Sequence, residues 1–174
     1  MIVFVRQAIV DDVDTIVGLI EAVHDELAPE RGGPVWLQSE AREQPLAVSV
    51  RADIETGEVH VMVGGIDEVV LGVAVTRLRT MHDNLLVACV DELVVDPEAR
   101  GVGIGVGLLD DAVSWAQEVG AVGIESSALP GQRATKNFFE AAGMKARLLT
   151  VYAPLVAGDV AAESESSGAD EIKP

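Results

Sequence analysis

The chain has 174 residues, of which 49% are apolar and only 3% aromatic, and its 29 acidic residues outnumber 12 basic ones. This length suits one domain, and the apolar content excludes a wholly disordered chain. The net charge of −17 argues against nucleic acid as a partner, because few cations are present to neutralise phosphates. The single cysteine, Cys89, and three scattered histidines exclude a disulfide framework and give no metal-ligand spacing.

Neither the amino terminus nor any later segment predicts export or membrane insertion. Residues 1–5 (MIVFV) lack the basic start and the apolar stretch of a signal peptide. No apolar run approaches the ~18 residues that a membrane span requires. We therefore predict a cytoplasmic protein that has no membrane partner and no metal site.

The acidic charge is unevenly distributed along the chain. Residues 1–99 carry 19 acidic and 6 basic residues, whereas residues 100–155 carry five of each. Residues 156–174 are small, polar and acidic, without apolar periodicity, and predict a disordered tail. We predict a single domain over residues 1–155, whose neutral part is where a polyanionic ligand meets least repulsion.

The spacing of apolar residues predicts alternating strands and helices. Turn sequences at 64–67 and 81–84 favour two antiparallel hairpins between the central strands. In chain order the predicted elements are a strand at 2–8, a helix over 13–27 that Asp11 or Asp12 can cap, weaker helices at 35–43 and from 46, strands at 58–64, 69–78 and 86–95, a helix over 106–119, a strand at 122–127, a helix over 130–142 and a strand at 145–153. This order predicts an α/β fold of the α+β type, with a mixed, mainly antiparallel central sheet flanked by helices.

The strongest chemical signal is a glycine-rich turn between the strand at 86–95 and the next helix. Glycines occupy positions 101, 103, 105 and 107, directly after Arg100. Without side chains their amides can approach a phosphate closely, and the positive end of the helix favours an anion. The turn fails the dinucleotide fingerprint G-x-G-x-x-G and lacks the Gly-Lys-Ser/Thr of a P-loop. It does contain Arg-x-x-Gly-x-Gly, formed by Arg100, Gly103 and Gly105.

This turn resembles the phosphate loop of the GNAT superfamily of N-acetyltransferases, Gln/Arg-x-x-Gly-x-Gly/Ala, which follows a strand and a proline and precedes an amphipathic helix. Residues 6–19 look like the first strand and helix of that family, and residues 132–144 (QRATKNFFEAAGM) look like its late helix. The resemblance covers about residues 2–153 and implies a GNAT-like fold. The alternative is a glycine-rich turn that serves only to pack a strand against a helix.

The resemblance implies that acetyl-CoA lies along the end of the strand at 86–95. The backbone groups of Leu93, Val94 and Val95 would pair with the pantetheine amides. The pyrophosphate would lie on the loop formed by Arg100, Gly101, Val102, Gly103, Ile104 and Gly105. The late helix would contribute Gln132, Arg133, Lys136 and Phe139, although Arg133 and Lys136 can also be read as ordinary solvated helix charges.

Acetyl transfer requires an amine stripped of its proton, a polarised thioester carbonyl and a proton for the leaving thiolate. Because some family members use carboxylates near these places, the resemblance implies Glu92 and Glu125 as catalytic residues, with Asp91 a weaker third candidate. Each could instead be a polar strand residue that faces solvent. Backbone amides around Val94 could polarise the carbonyl.

Phe139 departs from the family pattern, which commonly has at this position the tyrosine that protonates the thiolate. Without that phenol the proton must come from water or from another group, such as Ser126, Ser127 or Tyr152. The chain after Gly143 is also short and offers one strand where the family typically has two. We therefore expect an altered sheet edge, completed by a second subunit in a homodimer.

The resemblance implies an acetyl-CoA-dependent N-acetyltransferase that moves an acetyl group directly to a primary amine. The net charge of −13 on residues 1–99 predicts a cationic acceptor, either a small molecule or a peptide amine. A catalytically silent acyl-CoA-binding or regulatory module is the alternative, which Phe139 keeps open. A nucleotide-dependent oxidoreductase is a third hypothesis. It is disfavoured because the glycine-rich turn does not match the dinucleotide fingerprint.

Overall fold

The computed structural model describes residues 2–155 of a chain that divides into two units, residues 1–144 and 145–174. The described helices and strands all lie in the first unit, so the acidic tail predicted at 156–174 falls outside the described residues. In chain order they are β1 (Val3–Gln7), α1 (Val13–Leu27), α2 (Gly33–Ser39), α3 (Leu46–Thr56), β2 (His60–Ile66), β3 (Val69–Thr80), β4 (Leu86–Val95), α4 (Ile104–Glu118), β5 (Gly123–Ser126) and α5 (Arg133–Ala141), with short 3₁₀ turns at Val10–Asp12 and Pro97–Ala99.

The five strands form one sheet in the order β1-β2-β3-β4-β5. Neighbouring strands are antiparallel from β1 to β4, because hairpins connect β2, β3 and β4, whereas β5 returns through α4 and runs parallel to β4. The prediction of a mixed, mainly antiparallel sheet flanked by helices is confirmed.

The core consists of two aliphatic clusters, one on each face of the sheet. On one face α1 and α3 cover the sheet, and fully buried side chains there include Ile16, Ile20 and Val50. On the other face Ile104 and Leu108 of α4 pack against the sheet. Each such side chain contributes about 1.5–3 kcal/mol by leaving water, so a core almost without aromatic rings is sufficient.

Two strand glycines allow α4 to approach the sheet closely. A Cβ atom on Gly72 would lie 2.9 Å from the carbonyl oxygen of Val94 and 3.0 Å from Cγ2 of Ile104. A Cβ atom on Gly64 would likewise lie 3.0 Å from Cγ2 of Ile104. The absence of these side chains therefore sets the position of the amino terminus of α4 relative to the end of β4.

Asp12 occupies the N-cap position of α1, but its side chain does not cap that helix. Its carboxylate accepts two hydrogen bonds from Arg6, at 2.7 and 2.8 Å, and one from the backbone N–H of Ile9 at 2.9 Å. These bonds lower the pKa of Asp12, the Arg6 contact most strongly. The carboxylate thus closes the turn before the helix and joins it to β1, which corrects the predicted capping role.

The strand predicted at 145–153 is wrong, because the described residues 145–155 form neither strand nor helix. A strand exists through the hydrogen bonds that it makes with a neighbouring strand. Alternating apolar residues indicate that a segment suits such pairing, but they do not supply a neighbour.

We expect Gly72→Ala to lower the free energy of unfolding by about 1–3 kcal/mol, because the new methyl group overpacks the contact between β3, β4 and α4. Gly123→Ala is the matched control, since a Cβ atom on Gly123 of β5 would have no neighbour within 4 Å. Urea denaturation of the two variants measures the difference. Equal stabilities would contradict the packing role of Gly72.

Candidate active site

Strand β5, at one edge of the sheet, separates from its neighbour β4. The two strands pair from Val87 opposite Gly123 to Val90 opposite Ser126, where their ladder ends. On its other side β4 stays paired with β3 as far as Val95. Residues 91–95, which include the predicted Leu93, Val94 and Val95, therefore have no β5 partner on one side. We call this separation of β4 from β5 the fork. It leaves backbone N–H and C=O groups of residues 91–95 available to another hydrogen-bonding partner.

A β-bulge lies at the fork. Thr76 of β3 is opposite Val90, and the preceding residue, Val75, is opposite Glu92. Asp91 is therefore an extra residue on β4 that has no counterpart on β3. Such a bulge bends the strand locally and can redirect a side chain.

A cavity of about 260 Å³ lies between α1 and the end of β4. Val94 and Val95 form its floor on the strand, while α1 contributes apolar residues and one acidic residue. Its lining includes Leu19, Val23, Glu26, Val70, Val94 and Val95. The mainly apolar wall suits an uncharged chain, and Glu26 and Asp96 each add an acidic group to it.

The glycine loop, residues 100–105, connects the end of β4 to α4. Gly101 and Gly103 have φ angles of +82° and +100°, which disfavour any residue with a side chain, and a Cβ atom on either would meet open space. The first helical hydrogen bond of α4 runs from the N–H of Gly107 to the carbonyl of Gly103. The N–H groups of Ile104, Gly105 and Val106 therefore lack an intrahelical acceptor, and the helix dipole favours an anion beside them.

The glycine loop lies directly against the end of β4. A Cβ atom on Gly105 would lie 3.5 Å from Cγ2 of Val95 and 3.6 Å from the ring of Phe138. Val102 is exposed on the same loop. The structure thus brings together the free edge of β4, the amides of α4 and one face of α5.

Arg100 is bound to α1 and β4. Its guanidinium pairs with both carboxylate oxygens of Glu26, at 2.7 and 3.2 Å, and its Nε donates to the carbonyl of Val95 at 3.2 Å. The hydrogen bonds from Arg100 lower the pKa of Glu26. Both side chains are nearly half-exposed, so this ion pair contributes little to stability and can be exchanged for another partner.

The predicted residues of the late helix are distributed around α5. Gln132 is the N-cap residue and Arg133 the first residue of the helix. Lys136 pairs with Glu140 on the same helix at 2.6 Å. The ring of Phe139 meets that of Phe138 edge-on, with 5.3 Å between their centroids. Phe138, which no motif in the sequence indicates, is the α5 residue that lies beside Gly105.

Glu92 belongs to a partly buried group of five charged side chains, which we call the ion network. Arg42, only 6% exposed, donates to both oxygens of Glu92 at 2.6–3.0 Å and to Asp53 at 2.6 Å. Arg77 binds Asp53 at 2.5 Å and Asp91 at 2.9 Å. The network therefore joins β3, β4, α3 and the segment before α3.

The environment of the ion network shifts the pKa values of Asp53, Arg42 and Asp91. Burial acts to raise the pKa of Asp53, but hydrogen bonds from Arg77 and Arg42 outweigh it and leave that pKa lowered. Burial acts to lower the pKa of Arg42, whereas its bonds to Glu92 and Asp53 raise it overall. For Asp91, partial burial and the charge of Glu92 raise the pKa despite the contact with Arg77.

Glu125 lies on β5 opposite Cys89. Arg79 forms an ion pair with its carboxylate, and the Sγ of Cys89 lies 3.6 Å from the same oxygen. Burial, together with the charge of Glu125, raises the pKa of the Cys89 thiol although Arg79 acts against this. Cys89 is therefore poorly suited to act as a nucleophile.

The described part of the chain shows neither a metal-binding cluster nor a membrane-spanning helix. Within residues 2–155 no group of three or more His, Cys, Asp or Glu side chains is placed to hold a metal ion. None of the described helices has both the length and the apolar character needed to cross a bilayer.

Solved structures with this fold include several acetyltransferases. The tetramutant of the BH1408 protein from Bacillus halodurans is 23% identical, with a TM-score of 0.74 over 87% of this chain and 99% of that chain. Ribosomal-protein-alanine N-acetyltransferase from Brucella melitensis biovar Abortus is 14% identical, with a TM-score of 0.65 over 89% and 100% of the two chains. AAC(6')-Iy, in complex with the bisubstrate analogue CoA-S-monomethyl-acetylneamine, is 15% identical, with a TM-score of 0.68 over 88% and 98%. No curated protein sequence is significantly similar to the chain.

The model of the acetyltransferase (GNAT) family matches residues 20–144, which include the fork, the glycine loop and α5. The chain belongs to the GNAT family and is an N-acetyltransferase by that membership. This family uses acetyl-CoA as its acetyl donor.

We expect Asp53→Asn to lower the free energy of unfolding at pH 7 by about 3 kcal/mol, because it removes a charge that two guanidiniums share in a partly buried site. The folded-state pKa of Asp53 lies below its unfolded value of about 3.9. Its contribution is therefore complete above that unfolded value and is lost as the pH falls through the lower folded-state pKa.

Urea denaturation between pH 7 and pH 3 checks this expectation. The wild-type protein should lose stability toward acid more steeply than Asp53→Asn. The control is Asp110→Asn, at an exposed position within α4. If the two variants had the same stability and the same pH dependence, the ion network would not stabilise the fold through the charge of Asp53.

Proposed function

We propose that this chain transfers the acetyl group of acetyl-CoA directly to a primary amine carried by a cationic acceptor. The observation that supports this best is the juxtaposition of the fork with the glycine loop at the amino terminus of α4. The fork leaves backbone groups of β4 without a β5 partner, and the first N–H groups of α4 lack an intrahelical acceptor beside Gly101 and Gly103, where a side chain would meet open space.

The groups at the fork and in the glycine loop are chemically suited to bind the parts of acetyl-CoA. Backbone groups of Leu93, Val94 and Val95 would pair with the amides of pantetheine, and the apolar cavity beside α1 would take its uncharged chain. Amides of residues 101–105 would hold the pyrophosphate, where the open space at Gly101 and Gly103 permits close approach. The bound cosubstrate supplies the thioester that is to be aminolysed.

Charged and aromatic side chains would complete the binding of acetyl-CoA. Arg100 would exchange the carboxylate of Glu26 for a phosphate, and Arg133 and Lys136 lie on the first turns of α5. Gln132 and Phe139 are proposed to border the cosubstrate from the same helix. The equal numbers of acidic and basic residues in 100–155 repel a tetra-anionic ligand less than the acidic residues 1–99 do.

The attacking amine must lose a proton near the fork, and a carboxylate there could accept it. The predicted Glu92 and Glu125 each bind a guanidinium, of Arg42 and Arg79 respectively. Either would have to share its lone pairs with that cation while it accepts a proton. Their catalytic role stays a prediction. Because Phe139 carries no hydroxyl, the sulfur leaving group would take its proton from solvent or from another group such as Ser126, Ser127 or Tyr152.

A cationic acceptor is supported by the charge of the half of the chain that contains α1, α2 and α3. Residues 1–99 have a net charge of −13, which attracts cationic amines and repels anionic ones. One structural neighbour is named for the alanine of a ribosomal protein and another is bound to a neamine-derived analogue. These names support an amine acceptor but do not choose between a peptide and a small molecule.

A catalytically silent acyl-CoA-binding module is the second candidate. It is favoured by Phe139, which meets Phe138 at the position where the family pattern carries a tyrosine. Binding of CoA without turnover of any amine would select this reading. The expected homodimer also stays a prediction, which sedimentation analysis of the purified chain would check.

We expect Arg100→Ala to weaken CoA binding about tenfold, because it removes a charge-assisted contact with phosphate worth about 1.4 kcal/mol. We expect Glu26→Gln to strengthen binding several-fold, because it frees Arg100 and removes a like charge. Calorimetric titration with CoA measures both effects. Arg51→Ala is the matched control, since Arg51 is equally exposed and pairs with Glu55 on α3.

Opposite effects of Arg100→Ala and Glu26→Gln would support the exchange of partners at Arg100. Weaker binding in both variants would show that the ion pair itself builds the site. CoA binding that is unchanged in all three variants would contradict a phosphate site at the glycine loop.

We expect cationic amines to be acetylated faster than anionic ones, because the field of residues 1–99 concentrates cations at the site. A panel of spermine, a lysine-rich peptide, glycine and glutamate, assayed by thiol release from acetyl-CoA, tests this. Added salt should lower kcat/KM for spermine and leave glycine nearly unaffected. Preferential turnover of glutamate would contradict the proposal of a cationic acceptor.

A further inference from the structure

The three carboxylates at the fork differ in how firmly cations hold them. Arg42 binds both oxygens of Glu92, whose side chain is 12% exposed. Glu125 pairs with Arg79, contacts Cys89 and is 28% exposed. Asp91 forms an ion pair with Nε of Arg77 and is 44% exposed, so it is the most accessible of the three.

The bulge places Asp91 at the point where the fork opens. The β4–β5 ladder ends at Val90 opposite Ser126, so Asp91 is the first residue of β4 beyond it. It also has no counterpart on β3, since Thr76 and Val75 pair with its two neighbours. The backbone at Asp91 is thus fixed by paired residues on both sides while its side chain retains access to solvent.

Arg77 of β3 forms an ion pair with the carboxylate of Asp91 through its Nε. Its two terminal nitrogens donate to Asp53, at 3.1 and 2.5 Å, which leaves Nε to face Asp91. The charged groups that act on Asp91 are Arg77 of β3, Glu92 of β4 and Arg42 before α3. Partial burial and Glu92 favour the protonated carboxyl, and the two arginines limit this effect.

Glu92 has a structural role in the ion network. It holds Arg42, which is almost fully buried and also binds Asp53 of α3. Removing Glu92 would leave the Arg42 guanidinium with one carboxylate in place of two, and breaking a buried pair is costly. The side chain of Glu92 therefore stabilises the segment before α3 against β4.

We propose that Asp91, and neither Glu92 nor Glu125, is the general base that accepts a proton from the ammonium group of the acceptor. This inference rests on the proposed function. Arg77 is then a positioning residue, which acts by orienting the carboxylate of Asp91.

The reaction balances with one proton released for each acetyl group. Asp91 takes one proton from the ammonium group, and the nitrogen lone pair forms a bond to the thioester carbonyl carbon. The carbon–sulfur bond breaks with its electron pair on sulfur, which receives the second proton lost by the nitrogen through solvent. Asp91 then returns its proton to water.

The experiment compares Asp91→Asn with Glu92→Gln in the full chain. We expect Asp91→Asn to bind CoA in calorimetry and to melt like the wild-type protein, while kcat for spermine falls about 10²- to 10⁴-fold. The acid limb of the kcat/KM profile should disappear in this variant. We expect Glu92→Gln to melt at a lower temperature but to keep that acid limb when assayed while folded.

A second measurement does not depend on turnover. Carboxyl ¹³C NMR of the free protein should contain one aspartate resonance with a raised pKa that is missing from Asp91→Asn. Asp91→Asn with activity within threefold of wild type, or an acid limb lost in folded Glu92→Gln, would overturn the assignment to Asp91. Wild-type protein that binds CoA but acetylates no amine would instead overturn the proposed function, and the assignment would fall with it.

Discussion

The close contact between α4 and the sheet is the constraint on which the rest of the site depends. Because Gly64 and Gly72 carry no side chains, Ile104 at the start of α4 can pack onto β2 and β3. This contact fixes the amino terminus of α4 beside Val95, where β4 has already separated from β5. The unpaired amides of the helix and the unpaired edge of the strand thus lie together as a result of core packing.

Those parts of the site that are contiguous in sequence could be predicted from it. The glycine loop follows β4 directly, so Arg100 and the glycines after it indicated a phosphate site without knowledge of the fold. The order of strands was also predictable, because short turns impose antiparallel pairing on β2, β3 and β4. The parallel return of β5 follows from the intervening helix.

The ion network could not be predicted, because its members come from distant positions. Its members include residues from different elements, and no spacing along the chain indicates that they are in contact. Examples are Arg42, Asp53, Arg77 and Glu92. The prediction of Glu92 as a catalytic carboxylate was therefore made without the contact in which Arg42 binds both of its oxygens. The bulge at Asp91 depends on the register between β3 and β4, which alternation of apolar residues does not determine.

The mistaken strand at 145–153 and the mistaken cap at Asp12 have a common cause. In each case the local sequence was suitable for the expected structure. Which hydrogen bonds form, however, depends on a partner that lies elsewhere in the chain. Asp12 binds Arg6 of β1, and a strand forms only where an edge accepts it. Local sequence therefore limits which partners are possible without choosing among them.

The unpaired amides of α4 have a consequence for how this part of the molecule can change in evolution. N–H groups of the main chain are present whatever side chains the loop carries, and exposed Val102 and Val106 are not packed in the core. Mutations at these two positions can therefore accumulate while the amides keep their arrangement. The constraint instead falls on Gly101 and Gly103, whose positive φ angles few other residues tolerate. Distant descendants of this sequence would share the backbone of the loop and two glycines, and little else in it.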